Sequence, residues 1–375
     1  MPWKEQTTMS QRKAFIEQAI QPDRNMSQLC REFGISRKTG YKWLRRYMQS
    51  GEDGLVDLSR RPKHSPSRTP KEVEQSVLKM RAQHPAWGGR KLRARLKQLG
   101  YANVPSPSTI TAILHRHNGI SEKETLQRQR IQRFEKARPN EMWQMDFKAP
   151  FDVGGIACTP LTILDDHSRY LICLQVCTNQ LRETVQRHLT DVFRQYGLPE
   201  TILTDNGTPW GPSNSKPYYT RLMVWLLRLG IRVIRSRPYH PQTLGKDERL
   251  HRSLNDEVLA FQTFSSFQEC QTQFDRWQQI YNTQRPHEAL DLKPPITRFQ
   301  ISQRTFPEKL PPIEYPPNFE VRKVYQGGRI SFRDRIYPIG KAFVQLPIGL
   351  VPSREQENDM DVYFCKQVIK TITLK

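Results

Sequence analysis

Three acidic residues far apart in the chain stand in surroundings that predict three different elements. Asp146 lies in Trp143-Gln-Met-Asp-Phe-Lys148, whose apolar/polar alternation predicts a strand. Asp205 ends Thr201-Ile-Leu-Thr-Asp-Asn-Gly207, a short strand running into an Asn-Gly turn. Glu248 falls in the first turn of a helix predicted to begin near Lys246, after the extended run Ile231-Arg-Val-Ile-Arg-Ser-Arg237 and a Pro-Gln-Thr-Leu-Gly loop. Leu250, Leu254, Val258 and Phe261 recur at core spacing along that helix. Glu248 lies about 200° around from Leu250, at roughly 100° per residue, and so points away from the core stripe. By itself this signal is weak, because most first-turn glutamates are solvated caps that suit the helix dipole. Carboxylates from a strand, a strand end and a helix converge only through the fold. Where they do, an oxygen-only set suits Mg²⁺, which keeps positions for water and phosphate. Two such ions, roughly 3.5–4 Å apart, activate the attacking oxygen and stabilise the leaving one in phosphoryl transfer.

Other acids compete for this role. The pair Asp165-Asp166 precedes His167-Ser-Arg169 at a predicted hairpin turn, where turn chemistry accounts for Asp. Asp247 points about 100° away from Glu248 and is the weaker candidate. Asn206 reads as a turn former, with the orientation of a water or phosphate as the alternative.

The 375-residue chain allows two to four domains, and its net charge of +22, from 59 Lys and Arg spread through every segment, favours a polyanionic partner. DNA or RNA fits that distribution better than a membrane surface. No apolar run is long enough to span a bilayer, and the opening Met-Pro-Trp-Lys-Glu is not a signal peptide. The six cysteines form no CxxC pair and no Cys/His cluster with zinc spacing, and Cys173 and Cys177 read as small core residues of an apolar strand. A reducing cytoplasm, with association to the bacterial nucleoid, is the expected setting.

The elements that must position the acids follow in chain order. Residues 1–57 predict a first helix-turn-helix domain with helices Ser10–Ile20, Ser27–Phe33 and Ser36–Gln49, Ser27 and Ser36 being N-caps and Gly34 the turn. Arg37, Lys38, Tyr41, Lys42 and Arg45 would then face a major groove; an ordinary three-helix bundle with a basic face is the alternative. Residues 58–70 form a basic linker whose Arg60, Arg61 and Lys63 would follow a minor groove or serve only as tether. Residues 71–120 predict a second helix-turn-helix domain: Lys71–Gln83, Arg90–Leu99, and a helix capped by Ser108 and running through His117. Arg90, Lys91, Ser108, Thr109, Thr111 and His115 are its candidate DNA contacts. A charged connecting helix (121–139) leads to an α/β core (140–290) of order β-β-β-α-β-α-β-α, with His240, Lys246 and Arg252 as further DNA candidates. A Pro-rich extended linker (291–318) precedes alternating strands from 319 to 375, predicted to close into a small SH3-like β-barrel in which Arg329, Arg333 and Arg335 add backbone contacts to DNA.

Trp143-Gln-Met-Asp146, Thr204-Asp-Asn-Gly207, His240-Pro-Gln-Thr-Leu-Gly-Lys-Asp-Glu248 and Tyr281-Asn-Thr-Gln-Arg-Pro-His287 resemble the integrase-core signatures of DDE transposases. The likeness is to single-frame insertion-sequence transposases related to the IS-three group, of the IS-four-eight-one type, and extends over nearly the whole chain. The resemblance implies an RNase H-like core with Asp146, Asp205 and Glu248 as catalytic, metal-binding carboxylates and two Mg²⁺ per site, Mn²⁺ being a substitute. It implies nicking at the 3′ ends of terminal inverted repeats and joining to target DNA, by a homodimer or higher oligomer on double-stranded DNA, with one subunit's end-binding modules reaching the other's core in trans. Asn255 stands where relatives often carry a basic residue that holds DNA. Two rivals stand beside this reading: a catalytically inactive, domesticated repressor, and an RNase H-like nuclease without strand transfer. In the bland reading of the last motif, Tyr281 and His287 simply pack a helix end.

Overall fold

The computed structural model describes residues 7–58, 69–117, 135–211, 219–236, 245–354 and 358–374. The chain divides into two compact units, 1–68 and 69–375.

In the first unit, α1 (Thr8–Ala19), α2 (Met26–Glu32) and α3 (Arg37–Ser50) enclose Phe15, Ile16, Leu29, Cys30, Trp43 and Leu55. Ser36 caps α3 by accepting from the Thr39 amide, as expected. Helix α2 is capped by Asn25, not Ser27, because the Asn25 carboxamide reaches two amides, those of Ser27 and Gln28. A Cβ on Gly40 would stand 2.6 Å from Cys30 Sγ, so α3 crosses α2 closely only with glycine there.

The second unit begins with α4 (Lys71–Gln83), α5 (Gly89–Gln98) and α6 (Pro107–Arg116), packed around Val77, Trp87, Leu92, Leu96, Ile110, Ile113 and Leu114. The cap of α6 is Ser106 instead of Ser108: its hydroxyl accepts from Thr109 N, and Pro107 fits the first helical position, whose amide needs no partner.

The central sheet has the order β5-β4-β1-β6-β7, with β1 (Trp143–Phe147), β4 (Leu161–Asp165), β5 (Leu171–Gln175), β6 (Thr201–Thr204) and β7 (Arg232–Arg235). The meander β1-β4-β5 is antiparallel, whereas β6 and β7 add in parallel, each after a helix: α7 (Arg182–Tyr196) and α8 (Arg221–Arg228). This is the RNase H-like arrangement. Between β1 and β4, β2 (Phe151–Val153) and β3 (Ile156–Cys158) form a hairpin of their own, outside the five-stranded sheet. Helices α9 (Gly245–Leu254) and α10 (Phe267–Thr283) cover the other face through Leu250, Leu254, Val258, Phe274 and Trp277. A π-helical turn, Asn255–Leu259, prolongs α9. The wider turn changes the phase of the stripe, and Phe261, expected in the core, is 58% exposed.

Helix α8 is apolar on two sides. Leu222 and Leu226 enter the sheet's core, while Val224 and Leu227 enter that of the C-terminal region. The Pro-rich segment is no free spacer. Phe299 stacks on Tyr170 with centroids 4.0 Å apart, Ser302 N donates to Tyr196 O at 2.9 Å, and the Arg304 guanidinium donates to the Pro199, Leu229 and Gly230 carbonyls.

The C-terminal region, β8 (Glu320–Lys323) to β13 (Gln367–Thr373), does not close into the expected barrel. Strands β8, β11 (Pro347–Pro352), β12 (Asp359–Phe364) and β13 form a four-stranded antiparallel sheet in the order β13-β12-β11-β8. The hairpin β9 (Arg329–Phe332) and β10 (Arg335–Pro338) pairs only with itself. A 3₁₀ turn at Lys341–Phe343 stands between this hairpin and β11. Among the described residues no helix is long and apolar enough to cross a membrane.

Candidate active site

Strands β1 and β6 are parallel neighbours, with Trp143 opposite Ile202 and Gln144 opposite Leu203. Asp146 near the end of β1 and Asp205 just beyond β6 therefore share one edge of the sheet, the carboxyl ends where α/β folds bind ligands. Asp146 accepts from the Phe147 amide at 2.8 Å, and Asp205 from the Gly207 amide at 3.0 Å. Glycine at 207 leaves room for this carboxylate, since a Cβ there would stand 2.9 Å from Asp205 Oδ2. Asn206 is a structural tie, donating to Ser236 O at 2.9 Å and holding the ends of β6 and β7 together.

Glu248 is exposed on the first turn of α9. Burial, then the charge of Asp205, and to a lesser degree that of Glu248 push the Asp146 carboxyl up to about 6. Burial also raises Asp205. The charges of Asp205 and Glu248 thus both reach Asp146, a like-charge field that a cation would relieve. Among the described residues no three His, Cys, Asp or Glu side chains stand together as a metal-holding group, so the carboxylates are neighbours without being drawn to one point.

Two ties, both missed in the sequence, fix α9 against the strands. Thr162 on β4 donates its hydroxyl to Asp146 O at 3.0 Å, and His251 on α9 lies with Nε2 2.9 Å from that hydroxyl. With the threonine proton already committed, Nε2–H is the donor. Burial, reinforced by the Lys148 ammonium, pulls His251 down to about 4, so the ring is neutral near pH 7. The second tie is Asp166, fully buried, which accepts from Lys136 N and Gln144 Nε2, each at 2.7 Å, and from the Lys246 ammonium. Asp165 serves the turn as expected, accepting from Ser168 N at 2.7 Å and from Asn140 N at 2.8 Å. An acid pair closing a strand was the available signal that more than turn chemistry is involved. Asp247 is fully buried among the acids, and neither of its oxygens has a hydrogen-bond partner among the described residues. Burial, then the charges of Asp146 and Asp166, push its carboxyl well above the usual range.

The other sequence candidates divide by placement. Arg37, Lys38, Tyr41, Lys42 and Arg45 are all exposed on α3, as are Ser108, Thr109 and His115 on α6. Thr111 is half-buried and donates to Pro107 O at 2.9 Å. Arg90 and Arg252 are exposed. Lys246 is drawn inward to Asp166, and Lys91 is turned toward Glu257, so neither ammonium is presented outward. Arg60, Arg61, Lys63 and His240 lie outside the described residues, as does most of the expected connecting helix. In the last motif, Tyr281 and His287 are buried edge to face, 6.3 Å apart, and His287 Nδ1 accepts from Ala289 N. Arg285 pairs with Glu257 at 2.8 Å. Its role is to close α10 onto α9.

Residues 136–241 and 229–295 match the integrase core domain. Residues 11–63 match a helix-turn-helix domain, 39–114 a homeodomain-like domain, and 319–375 the C-terminal domain of IS481 family transposases. The insertion element IS407 uncharacterized 31.7 kDa protein of Burkholderia multivorans is 26% identical over 252 residues, 64% of this chain and 86% of that protein. The insertion element IS476 uncharacterized 39.2 kDa protein of Xanthomonas euvesicatoria is 29% identical over 171 residues, 44% of this chain and 46% of that protein. The Gag-Pro-Pol polyprotein of Mason-Pfizer monkey virus is 32% identical over 120 residues, 32% of this chain and 6% of the polyprotein. Among solved structures, a chain of the simian T-cell lymphotropic virus intasome is 16% identical with a TM-score of 0.37, over 80% of this chain and all of that one. The HTLV-2 integrase catalytic core domain in complex with magnesium is 13% identical with a TM-score of 0.33, over 43% of this chain and 97% of that one.

The family matches indicate a polynucleotidyl transferase core of the integrase kind, accompanied by helix-turn-helix domains. The chain carries the integrase core domain and the C-terminal domain of IS481 family transposases and is similar to insertion-element proteins, which together support an insertion-sequence transposase.

Proposed function

We propose that this chain is a DNA transposase that binds the terminal inverted repeats of its insertion sequence, nicks their 3′ ends and joins them to target DNA. What supports the reading is that Asp146 and Asp205 lie at the ends of neighbouring parallel strands, and that the charges of Asp205 and Glu248 both act on Asp146. Their oxygen-only chemistry and unrelieved repulsion fit two Mg²⁺ ions, with Mn²⁺ as a substitute, held by these three residues. When bound, the ions supply Lewis-acid activation of the attacking oxygen and offset charge on the leaving one. The chain's own residues do the rest. Asp166 and His251 hold the helix of Glu248 to the strands of Asp146, so the acids are presented without large rearrangement. Water attacks the phosphodiester at each end and releases a 3′ hydroxyl, which then attacks a target phosphate and displaces the target strand's own 3′ oxygen; no protein nucleophile takes part.

Recognition falls to the exposed residues of α3 and α6, with Arg90 and Arg252 on phosphates. Two ends must be brought together, so a dimer or larger oligomer on duplex DNA is the working form. The second helix-turn-helix module is seated on the core of its own chain; reaching across to a partner's core is assigned to the first.

The test is incubation with end-derived oligonucleotides and supercoiled plasmid in Mg²⁺. Joined products are expected from the wild type and none from Asp205→Asn. A footprint on the ends with no Mg²⁺-dependent nicking would replace this reading by that of an inactive repressor, whereas nicking without joining would leave only a nuclease.

A further inference from the structure

The helix that carries Glu248 does not end at the active site. Through the π-helical turn it continues to Leu259, and on that turn sits Glu257, whose side chain is only 8% exposed. Three elements converge on its carboxylate. From just beyond α10, Arg285 Nε donates to Oε1 at 2.8 Å and to Oε2 at 3.1 Å. From within α10, the Trp277 indole donates to Oε2 at 3.1 Å. From α5 of the second helix-turn-helix module, the Lys91 ammonium reaches Oε1 at 3.5 Å. Arg285 also grips Ser253 on α9 at 2.9 Å, so guanidinium and carboxylate clamp the same helix at neighbouring turns.

Lys91 is not an isolated contact. On the same helix, Arg95 donates to Gln284 Oε1 at 2.9 Å and Gln98 Nε2 to Leu292 O at 3.4 Å. Ile280 of α10 packs into the module's own core, and a cleft of about 230 Å³ between Trp87 and Trp277 is lined by Glu257 and Val258. Within the module, α5 and α6 are closely apposed: a Cβ on Gly89 would lie 2.4 Å from Pro107 O, so only glycine allows this approach. A continuous physical path runs from the exposed face of α6, through α5 and the Lys91–Glu257 pair, to the helix of Glu248.

We propose that the Lys91–Glu257 pair is a positioning contact that couples engagement of DNA by the second helix-turn-helix module to the placement of Glu248. This deepens the transposase reading and rests on it. Lys91 and Glu257 touch no reacting atom and act through α9. The π-helical turn suits the role, since such turns lie at functional sites and allow a register adjustment that a continuous α-helix resists. A sequence-reading domain wired to the catalytic helix would let cutting respond to the correct end, and not merely to any duplex held nearby.

The informative variant is Lys91→Met, which keeps the aliphatic stem and leaves Glu257 paired with Arg285 and Trp277, so the core stays satisfied. Glu257→Gln would instead weaken the partner of buried Arg285 and confound coupling with folding. The probe is a duplex cut from the end of the element that encodes the chain. Two readouts are made: the single-turnover nicking rate at saturating duplex, and hydrogen exchange across 245–254 with and without the duplex. Nicking by Lys91→Met is expected to be slower by roughly 5- to 150-fold, the usual size of a coupling between sites, with Lys91→Arg restoring most of it. The duplex is expected to slow exchange across α9 in the wild type and in Lys91→Arg but not in Lys91→Met. Unchanged nicking at saturation with only weaker duplex affinity would make Lys91 an ordinary phosphate contact and overturn the inference, as would an α9 exchange response that persists in Lys91→Met. If the wild type cuts nothing yet α9 protection still depends on Lys91, the enzyme reading fails and the coupling stands.

Discussion

Replacing Asp146 by Asn should stabilise the metal-free chain while destroying its use to the enzyme. The wild-type carboxyl is pushed from an ordinary 3.8 up to about 6, by burial first and then by the charge of Asp205. At 1.36 kcal/mol per pH unit, the charged form in the folded chain is penalised by about 3 kcal/mol at most. The sign follows from linkage. Below about pH 3.8 both folded and unfolded chains carry a protonated Asp146, and the substitution changes little. As pH rises toward 6 the unfolded chain loses the proton and the folded chain keeps it, so the wild type progressively loses stability relative to Asp146→Asn; above about 6 the difference levels off. The neutral amide keeps an oxygen for the Phe147 amide, so no donor is orphaned. Urea unfolding across that pH range in EDTA should show the gap open toward neutral pH. Added Mg²⁺ should then stabilise the wild type, by about 2.7 kcal/mol at one hundred times its dissociation constant, and leave Asp146→Asn unmoved. An Asp146→Asn chain no more stable than wild type at pH 7 in EDTA, or a gap indifferent to pH, would refute the account of Asp146 as a carboxylate held among like charges.

Other expectations follow from the same geometry. Thr162→Val removes the hydroxyl shared by Asp146 O and His251, leaving a buried imidazole N–H unmatched; a loss of about 1–3 kcal/mol is expected by denaturation, with slower nicking. Ser106→Ala deletes the cap of α6 and should cost about 1 kcal/mol, loosening the recognition helix and weakening end binding measured by fluorescence anisotropy. Duplex affinity should fall steeply with salt: six to ten phosphate contacts predict about 10³- to 10⁵-fold between 50 and 200 mM. A shallow slope would mean that the excess of Lys and Arg is not spent on phosphates.

What could be read in advance was local. The alternation around Asp146 and the Asn-Gly turn after Asp205 are written within a few residues, and the β5-β4-β1 meander follows from strands joined by short turns. Helices α3 and α6 were visible from their caps and apolar spacing, although Ser106 displaced Ser108 once Pro107 took the first helical position. Contacts between distant segments were not legible. Lys91 meets Glu257, and Lys246 meets Asp166, only after the chain has folded, so both lysines read as DNA ligands when considered by charge alone. The Pro-rich segment looked like a spacer because nothing nearby in sequence announces that Phe299 has a ring to stack on. Phe261 was placed inside by a regular helical period, which the π-helical turn interrupts.

Helix α8 bears on how such a protein can be dissected. Because Val224 and Leu227 belong to the C-terminal region's interior while Leu222 and Leu226 belong to the sheet's, a fragment ending before Phe319 would leave greasy surface on the excised core. Each such side chain left in water forgoes about 1.5–3 kcal/mol. The catalytic portion of this chain is therefore ill suited to life as a stand-alone fragment, and a chimera that grafts another C-terminal region onto it must re-match that helix before its DNA chemistry can be compared.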